Sequence, residues 1–594
     1  SSVFTSPRVS TIAPGTPYNP ELRMTATATH SSAPITVSAS DLPLQGLMRW
    51  ALERGDAIYL TQPMGGGDVQ DISWKEAADQ VRRMATWLTV QGWPAGSRVA
   101  IIGKNSAHWI LADLAIQLAG HVSIPIYPTF NGEALAYILA HSEARACFIG
   151  KMDDTTNLQT GLPKGLPVIA LPLAPKLKTL TWNDVLSTSA PLQGDPAAEL
   201  DAVCTIIYTS GTTGKPKGVV HTYGSMAWGV TSATRRVQMG TNERYISYLP
   251  LAHVAERMLI EQGSLRYGGH IFFAEALDTF VQDLQRARPT IFFSVPRLWV
   301  KFQHGVHSKM PAKKLARLLS LPLVGGLVRR KILKGLGLDQ CRVAAGGAAP
   351  MPADVLQWYR KLGLDLIEVY GMTENCGVSH STLPGSTQVG SVGLPYDQVQ
   401  SRIDPDNGEI QMRSPALMQG YYREAEATAQ SMTADGWLRT GDKGQIDEQG
   451  FLRITGRVKD IFKTSKGKYV APAPIEDRLV QHPDIEACAV AGSAHLTQPI
   501  GLVMLSPDGI ARSGSAHEKA ALTQSLAEHL TNVNAQLEPH ERLDCLAVIS
   551  TTWTPENGFV TPTLKVKRAR IEEAYGGQYE AWLAQRQPVV WSAV

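Results

Sequence analysis

The densest chemistry in the 594-residue chain lies in one run, Tyr208-Thr209-Ser210-Gly211-Thr212-Thr213-Gly214-Lys215-Pro216-Lys217-Gly218. An apolar stretch, Ala202-Val203-Cys204-Thr205-Ile206-Ile207, leads into it and reads as a buried strand. Glycines let backbone N–H groups close on a polyanion, hydroxyls add donors and lysines add charge. The turn therefore has the composition of a phosphate cradle. It is not a Walker P-loop. Pro216 follows Gly214-Lys215 where Ser or Thr is needed, and Thr209 stands where the first glycine belongs. A Gly/Ser/Thr surface loop shares this composition, so other residues must decide.

Several other groups suit a nucleotide. Tyr370-Gly371-Met372-Thr373-Glu374 follows directly on the apolar run Leu364–Val369, and open α/β sheets collect ligands at the carboxyl ends of their strands. Gly346-Gly347-Ala348-Ala349-Pro350 ends another such run, and its small side chains let a flat ring lie against backbone. Both also read as tight turns. Asp442 closes Trp437-Leu438-Arg439-Thr440-Gly441-Asp442, and one carboxylate can accept hydrogens from both hydroxyls of a ribose. Arg457 stands fifteen residues later, inside Gly456-Arg457-Val458-Lys459-Asp460. Near the C-terminus, Thr561-Pro562-Thr563-Leu564-Lys565-Val566-Lys567-Arg568 offers a lysine on a short loop, or a solvated charge run.

Taken together, these strings resemble the adenylate-forming superfamily of acyl-CoA synthetases, luciferases and peptide-synthetase adenylation domains, over residues 42 to 575. The resemblance implies that Thr209, Ser210, Gly211, Thr212, Thr213, Gly214, Lys215 and Lys217 hold the phosphates of ATP. It implies that Gly347, Ala348, Ala349, Tyr370 and Gly371 receive adenine, with Tyr370 stacking on the ring, and that Asp442 and Arg457 hold the ribose. Thr373 would contact the α-phosphate, Glu374 would bind Mg²⁺, and Lys565 would be the catalytic lysine. Leu564 replaces the commoner glycine, which keeps Lys565 and Lys567 both open for that role. Lys459 matches the family's hinge. Lys463 and Gly467, in the basic run Ile461–Lys468, match a loop that comes over the site after adenylation and helps form the thiol channel; by themselves they read as a solvated hairpin.

Two strings, Tyr248-Leu249-Pro250-Leu251-Ala252-His253-Val254-Ala255-Glu256 and Ser294-Val295-Pro296-Arg297-Leu298-Trp299, are similar to the long-chain fatty acid branch. His253 reads either as lining the acyl entrance or as a helix cap or core residue. Trp228 reads as a gate on an acyl tunnel or as a packed core side chain. The implied reaction joins a medium- or long-chain fatty acid to ATP, giving acyl-AMP and pyrophosphate, then passes the acyl group to the thiol of coenzyme A. An acyl-carrier protein, or the β-hydroxyl of a 3-hydroxy acid closing a β-lactone, would serve as the alternative acceptor. A non-catalytic acyl or nucleotide sensor is the reading from another class, and such a module has no use for Lys565.

The elements that must position these residues follow from pattern. A capping box, Ser73-x-x-Glu76, opens a helix with Ala77, Val81, Met84 and Leu88 on one face. Runs at Arg98–Ile102, Val122–Tyr127, Ala146–Ile149, Tyr245–Leu249, Ile271–Ala274, Thr290–Val295 and Arg342–Ala345 read as strands. They alternate with helical patterns at Ala107–Leu118, Val254–Tyr267, Phe280–Arg288, Arg297–Val306 and Ala353–Leu362. That alternation predicts parallel βαβ units. After Gly390 shorter, glycine-punctuated runs predict a small β-rich subdomain. The expected fold is α/β: a large N-terminal domain of doubly wound sheets with that subdomain over 41–458, and a small mobile α+β domain over 459–594. Residues 1–40, rich in Ser, Thr, Pro and Ala, read as a disordered or loosely packed extension.

A net charge of +3 from 56 basic and 53 acidic residues argues against nucleic acid as a partner. Six scattered cysteines without CxxC pairs predict reduced thiols, and no run approaches the ~20 apolar residues of a membrane span, so cytoplasm is the expected location. Residues 307–338 form a basic-apolar run that reads as a membrane-touching amphipathic element or as ordinary surface helices interrupted at Pro322 and at Gly325-Gly326.

Overall fold

The computed structural model describes residues 34–594 except 195–197, 210–214, 350, 387, 494–495, 562–564 and 593–594. Residues 1–33 of the expected extension lie outside that set, as do Ser210, Gly211, Thr212, Thr213 and Gly214 of the phosphate cradle.

Ser73 opens the helix Trp74–Val90 through a reciprocal cap. Its Oγ accepts from the Glu76 N–H at 3.3 Å, and Glu76 Oε2 accepts from the Ser73 N–H at 2.8 Å. Ala77, Val81, Met84 and Leu88 are buried. This helix packs against Ala107–Leu118, which is covered on every side: eleven of its twelve residues are buried, the polar His108, Asp113 and Gln117 among them.

Three sheets build the N-terminal domain. The largest has eight strands in the order Gly420–Tyr421, Lys217–Thr222, Val203–Thr209, Val122–Ile126, Arg98–Ile102, Ala146–Ile149, Val168–Ala170, Leu180–Thr181. From Val203–Thr209 to Leu180–Thr181 all neighbours are parallel. All five residues of Val122–Ile126 are buried, as a parallel strand covered on both faces requires. A second sheet runs Ile291–Ser294, Val343–Gly347, Leu366–Tyr370 in parallel, then adds His380–Ser381 and Leu394–Pro395 antiparallel. A third combines Arg244–Ser247, His270–Phe273 and Ile58–Gly65 with Asp68–Ser73. The β-rich subdomain is an antiparallel sheet of Gln400–Ile403, Glu409–Arg413, Leu438–Ile446 and Leu452–Arg457.

Beyond it, a two-stranded hairpin (Phe462–Lys463, Tyr469–Val470) precedes a four-stranded sheet of Ile485–Ala491, Ile500–Leu505, Leu546–Ile549 and Val589–Trp591. Helices Pro472–Leu479, Ala516–Asn534 and Arg568–Tyr575 accompany this sheet, giving the expected α+β composition. No helix among the described residues is long and apolar enough to cross a membrane.

Two expectations need correction. The helix read as Val254–Tyr267 is continuous, but its middle, Arg257–Gln262, widens to π hydrogen bonding. That stretch carries a buried arginine: Arg257 Nη2 lies 2.7 Å from Asp113 Oδ2, its Nε 3.3 Å from Glu261 Oε2, and its Nη1 donates to Thr205 Oγ1 at 2.7 Å. Burial and the charge of Asp113 push Glu261 well above the usual carboxylate range. The second correction concerns residues 307–338. Residues 320–323, Pro322 among them, separate two helices there, Ala312–Leu319 and Val324–Gly335, and Gly325-Gly326 lies inside the second. A Cβ on Gly325 would stand 2.5 Å from the Leu319 carbonyl oxygen, so glycine there permits close packing rather than a break.

Candidate active site

The phosphate-cradle segment joins the antiparallel strands Val203–Thr209 and Lys217–Thr222, with Thr209 paired to Lys217 and Tyr208 to Gly218. Its ends are fixed by aromatic rings. The Lys215 ammonium lies 5.3 Å from the Tyr137 ring centroid, and that of Lys217 lies 5.1 Å from Tyr421. Tyr208 Oη sits 2.8 Å from His141 Nδ1.

The strand end Val343–Gly347 lies beside Leu366–Tyr370, with Gly347 opposite Val369. A Cβ on Gly347 would meet the Val369 carbonyl oxygen at 2.9 Å, so nothing larger fits between the strands. Ala348 takes a left-handed φ of 69° and is exposed together with Ala349, which leaves a flat shelf at the strand end. Gly371 is similarly enforced, since a Cβ there would approach the Gly377 carbonyl carbon to 2.2 Å.

The strand ends bring together groups far apart in sequence. Tyr370 Oη donates to Asp442 Oδ2 at 2.6 Å, and Arg457 Nε donates to Asp442 Oδ1 at 2.8 Å. Asp442 and Arg457 are register partners on adjacent antiparallel strands, which explains their spacing in the chain. Burial and the neighbouring Asp442 carboxylate raise the Tyr370 phenol well above its usual range. Each Asp442 oxygen keeps a free lone pair, so the group can still receive two hydroxyls.

Thr373 and Glu374 form a short 3₁₀ turn, Thr373–Asn375, at the same end of the sheet. Glu374 is buried; Tyr421 Oη donates to its Oε1 at 2.8 Å, and its carbonyl accepts from the Met418 N–H at 2.8 Å. Burial raises the Glu374 carboxyl, opposed by Tyr421 and by the charges of Arg457 and Lys565. The Thr373 carbonyl lies 2.7 Å from His221 Nε2. A carbonyl only accepts, so His221 carries its proton on Nε2, and burial lowers its pKa to about 4 and keeps it neutral. This bond ties the second strand of the cradle hairpin to the Glu374 turn.

Lys565 faces this cluster from the C-terminal domain. Its backbone forms a tight loop with Thr561, whose N–H donates to the Lys565 carbonyl at 2.8 Å. Lys565 is exposed, and Arg457, Asp442 and Glu374 lie within its electrostatic reach. Burial and Arg457 hold its pKa below the ordinary lysine value, while Asp442 and Glu374 oppose that shift. Lys567 instead stands at the N-cap of the helix Arg568–Tyr575. His253 caps the helix at Val254, its Nδ1 accepting from the Ala255 N–H at 3.1 Å, and burial together with the Lys565 charge lowers its pKa to about 4. The helix-cap reading of His253 therefore holds.

Other predicted residues lie elsewhere. Trp228 is buried in the cluster of Tyr223, Val254, Met258 and Cys376, with Gln398 accepting from its Nε1 at 3.4 Å; it is core packing. Lys463 and Gly467 sit in the exposed hairpin, where the Lys463 ammonium lies 5.6 Å from the Tyr469 ring. Lys459 is exposed in the turn after Arg457. Its neighbour Asp460 accepts from Arg568 Nε at 3.1 Å, and Arg568 Nη2 also donates to Glu476 at 2.5 Å. That arginine ties the Lys565 loop to the turn between the domains. Tyr421 and His221 are site residues that sequence reasoning missed, because no spacing links Tyr421 to Glu374 or His221 to Thr373.

Among the described residues no group of three or more His, Cys, Asp or Glu forms a metal cage. Glu374 is a single carboxylate with one oxygen engaged by Tyr421, a donor set that fits Mg²⁺ arriving on substrate phosphates.

Comparison with known proteins shows which family the chain belongs to. The family model described as AMP-binding enzyme matches residues 47–422, and that of the AMP-binding enzyme C-terminal domain matches 459–587. The long-chain-fatty-acid–CoA ligase FadD15 of Mycobacterium bovis is 31% identical over 92% of this chain and 98% of its own. Long chain acyl-CoA synthetase 6, peroxisomal, of Arabidopsis thaliana is 29% identical over 86% and 81%. The A-PCP didomain of carboxylic acid reductase from Segniliparus rugosus, solved with AMP, superposes with a TM-score of 0.76 at 20% identity, covering 92% of this chain and 83% of that one. The chain belongs to the AMP-binding enzyme family, and it is an AMP-forming ligase that resembles the long-chain acyl-CoA synthetases.

Proposed function

We propose that this protein activates a medium- or long-chain fatty acid with ATP and transfers the acyl group to coenzyme A. One observation carries the reading: Lys565, Glu374, Asp442 and Arg457 share one electrostatic cluster at the ends of the strands that carry Tyr370 and Gly347.

A carboxylate oxygen of the acid attacks the α-phosphorus of ATP. The bond from that phosphorus to the bridging oxygen breaks, and pyrophosphate leaves with the electron pair. The obstacle is anion approaching anion, so catalysis consists of positioning and charge neutralisation, and no general base is needed. Adenine stacks on Tyr370, whose ring is oriented by the Tyr370–Asp442 bond, and lies over the Gly347-Ala348-Ala349 shelf. Asp442 and Arg457 take the ribose hydroxyls. Lys215 and Lys217 meet the outer phosphates. Glu374 would hold Mg²⁺, which supplies further positive charge to the phosphates. Lys565, rather than Lys567, meets the charge at the reacting centre, a reading supported by its electrostatic contact with Glu374 and Asp442.

The C-terminal domain then swings about Lys459 and withdraws Lys565. The loop of Lys463 and Gly467 comes to the crevice, the CoA thiolate attacks the acyl carbonyl, and AMP departs. Likeness to named fatty acid–CoA ligases across nearly the whole chain supports the acid and the acceptor.

Pyrophosphate release measured over a panel of carboxylic acids, with CoA, phosphopantetheinylated carrier protein or no acceptor, tests the assignment. Fatty acids should drive release, and CoA should be consumed in step with AMP formation. Release driven by amino or aryl acids alone, or acyl transfer to carrier protein in place of CoA, would overturn it.

A further inference from the structure

Between Pro311 and Leu338 the chain carries seven lysines and arginines and no acidic residue. Lys313, Lys314, Arg329, Arg330 and Lys331 are all exposed. The first acid beyond them, Asp339, is taken by Arg288. The region is therefore a concentrated positive surface.

Its form is a helix pair anchored from one side. Leu315 and Leu319 of the helix Ala312–Leu319 are buried in a cluster with Phe280, Leu284 and Phe302, so the cationic side of that helix faces outward. Gly325 packs under the Leu319 carbonyl and holds the second helix, Val324–Gly335, tightly against the first.

The turn between them is apolar and points into water. Leu323 is 89% exposed and Leu327 71%, with Leu321 at 45%. Leu323 takes φ 65° and ψ −51°, and the Val324 N–H donates to the Pro322 carbonyl at 2.7 Å. That is a γ-turn of the rare, strained hand, in a branched residue that disfavours it. Folding alone gives no reason to strain a leucine in order to expose it, and the arrangement suits a partner that takes up the apolar tip. A protruding apolar tip ringed by cations suits a plane that is apolar below and anionic at its surface, which is the section of a charged bilayer. A protein pocket would instead have to match the contour of the tip.

We propose that the turn between helices Ala312–Leu319 and Val324–Gly335 docks this protein on an anionic lipid surface, with Leu321, Leu323 and Leu327 entering the headgroup boundary and the flanking lysines and arginines meeting lipid phosphates. None of these residues belongs to the nucleotide crevice, so the docking stands apart from the identity of the acid activated.

Full-length protein is sedimented with vesicles of phosphatidylcholine alone or of phosphatidylcholine with phosphatidylglycerol, at low and high salt. Binding is expected to the phosphatidylglycerol vesicles only and to weaken with salt. R329Q/R330Q should lower the partition coefficient on the order of thirtyfold at low salt, given the contribution of each basic side chain near such a surface. L323D/L327D should abolish binding while the thermal midpoint and pyrophosphate release in the absence of lipid stay unchanged. Equal binding to neutral vesicles, or full binding by both variants, would overturn the proposal. So would absence of vesicle binding together with a dimer in light scattering that L323D/L327D converts to monomer, since that outcome assigns the tip to a second copy.

Discussion

Replacing Lys565 with alanine should slow acyl-adenylate formation by two to three orders of magnitude while sparing thioester formation. In the crevice the Lys565 ammonium and the Arg457 guanidinium face the Glu374 and Asp442 carboxylates, two formal charges of each sign. Without Lys565 one negative charge is left over where a carboxylate must approach a triphosphate. Losing one preorganised partner of a developing charge costs ~3–4 kcal/mol, or on the order of 10²–10³ in rate. Pyrophosphate release reads the first half-reaction, and CoA consumption with supplied acyl-AMP reads the second. The lysine must be protonated to act, and its pKa lies below the ordinary lysine value. Adenylation should therefore decline as pH rises through a range where a free lysine would still be charged, and K565R should move that decline upward. Equal loss in both half-reactions, or the same adenylation loss in K567A, would refute the reasoning.

Three further outcomes follow from single contacts. Burial pushes Glu256 from 4.5 up to about 8, against the bonds it accepts from Ser247 Oγ and the Tyr248 N–H. Its folded-state value is raised, so stability is full below pH 4.5 and is lost as pH rises toward 8; E256Q should flatten that slope, worth on the order of 5 kcal/mol at most, in urea titrations at several pH values. His221→Phe removes the donor to the Thr373 carbonyl and should cost ~1–3 kcal/mol in urea denaturation, with a fall in kcat/KM for ATP as the Glu374 turn loosens. Arg297 and Glu486 form an ion pair between the two domains in the arrangement that places Lys565 at the site. R297E should lower adenylation about fivefold relative to thioesterification, as for a part-exposed pair worth ~1 kcal/mol, and R297E/E486R should restore the ratio.

The strand–helix rhythm was legible because periodicity is local: Arg98–Ile102, Ala107–Leu118 and Ala146–Ile149 fall where their patterns end. The capping box at Ser73 is likewise a contact over three residues. Contiguous strings such as Tyr370–Glu374 named candidates, but what holds them is long-range. Tyr421 reaches Glu374 across 47 residues, and His221 reaches Thr373 across 152. The Arg257–Asp113 pair spans 144 residues and hides in what reads as an ordinary amphipathic helix. Gly325-Gly326 looked like a break because propensity cannot register that a neighbouring carbonyl needs the space of a Cβ. Side-chain pairing across sheets leaves no period in the chain.

A structure of the protein crystallised with a non-hydrolysable acyl-AMP analogue tests the central claim most directly. The ribose hydroxyls should lie within hydrogen-bond distance of Asp442, with adenine against Tyr370 and the Lys565 ammonium at the phosphate. A nucleotide bound away from Tyr370 and Asp442, with Lys565 turned to solvent, would contradict it.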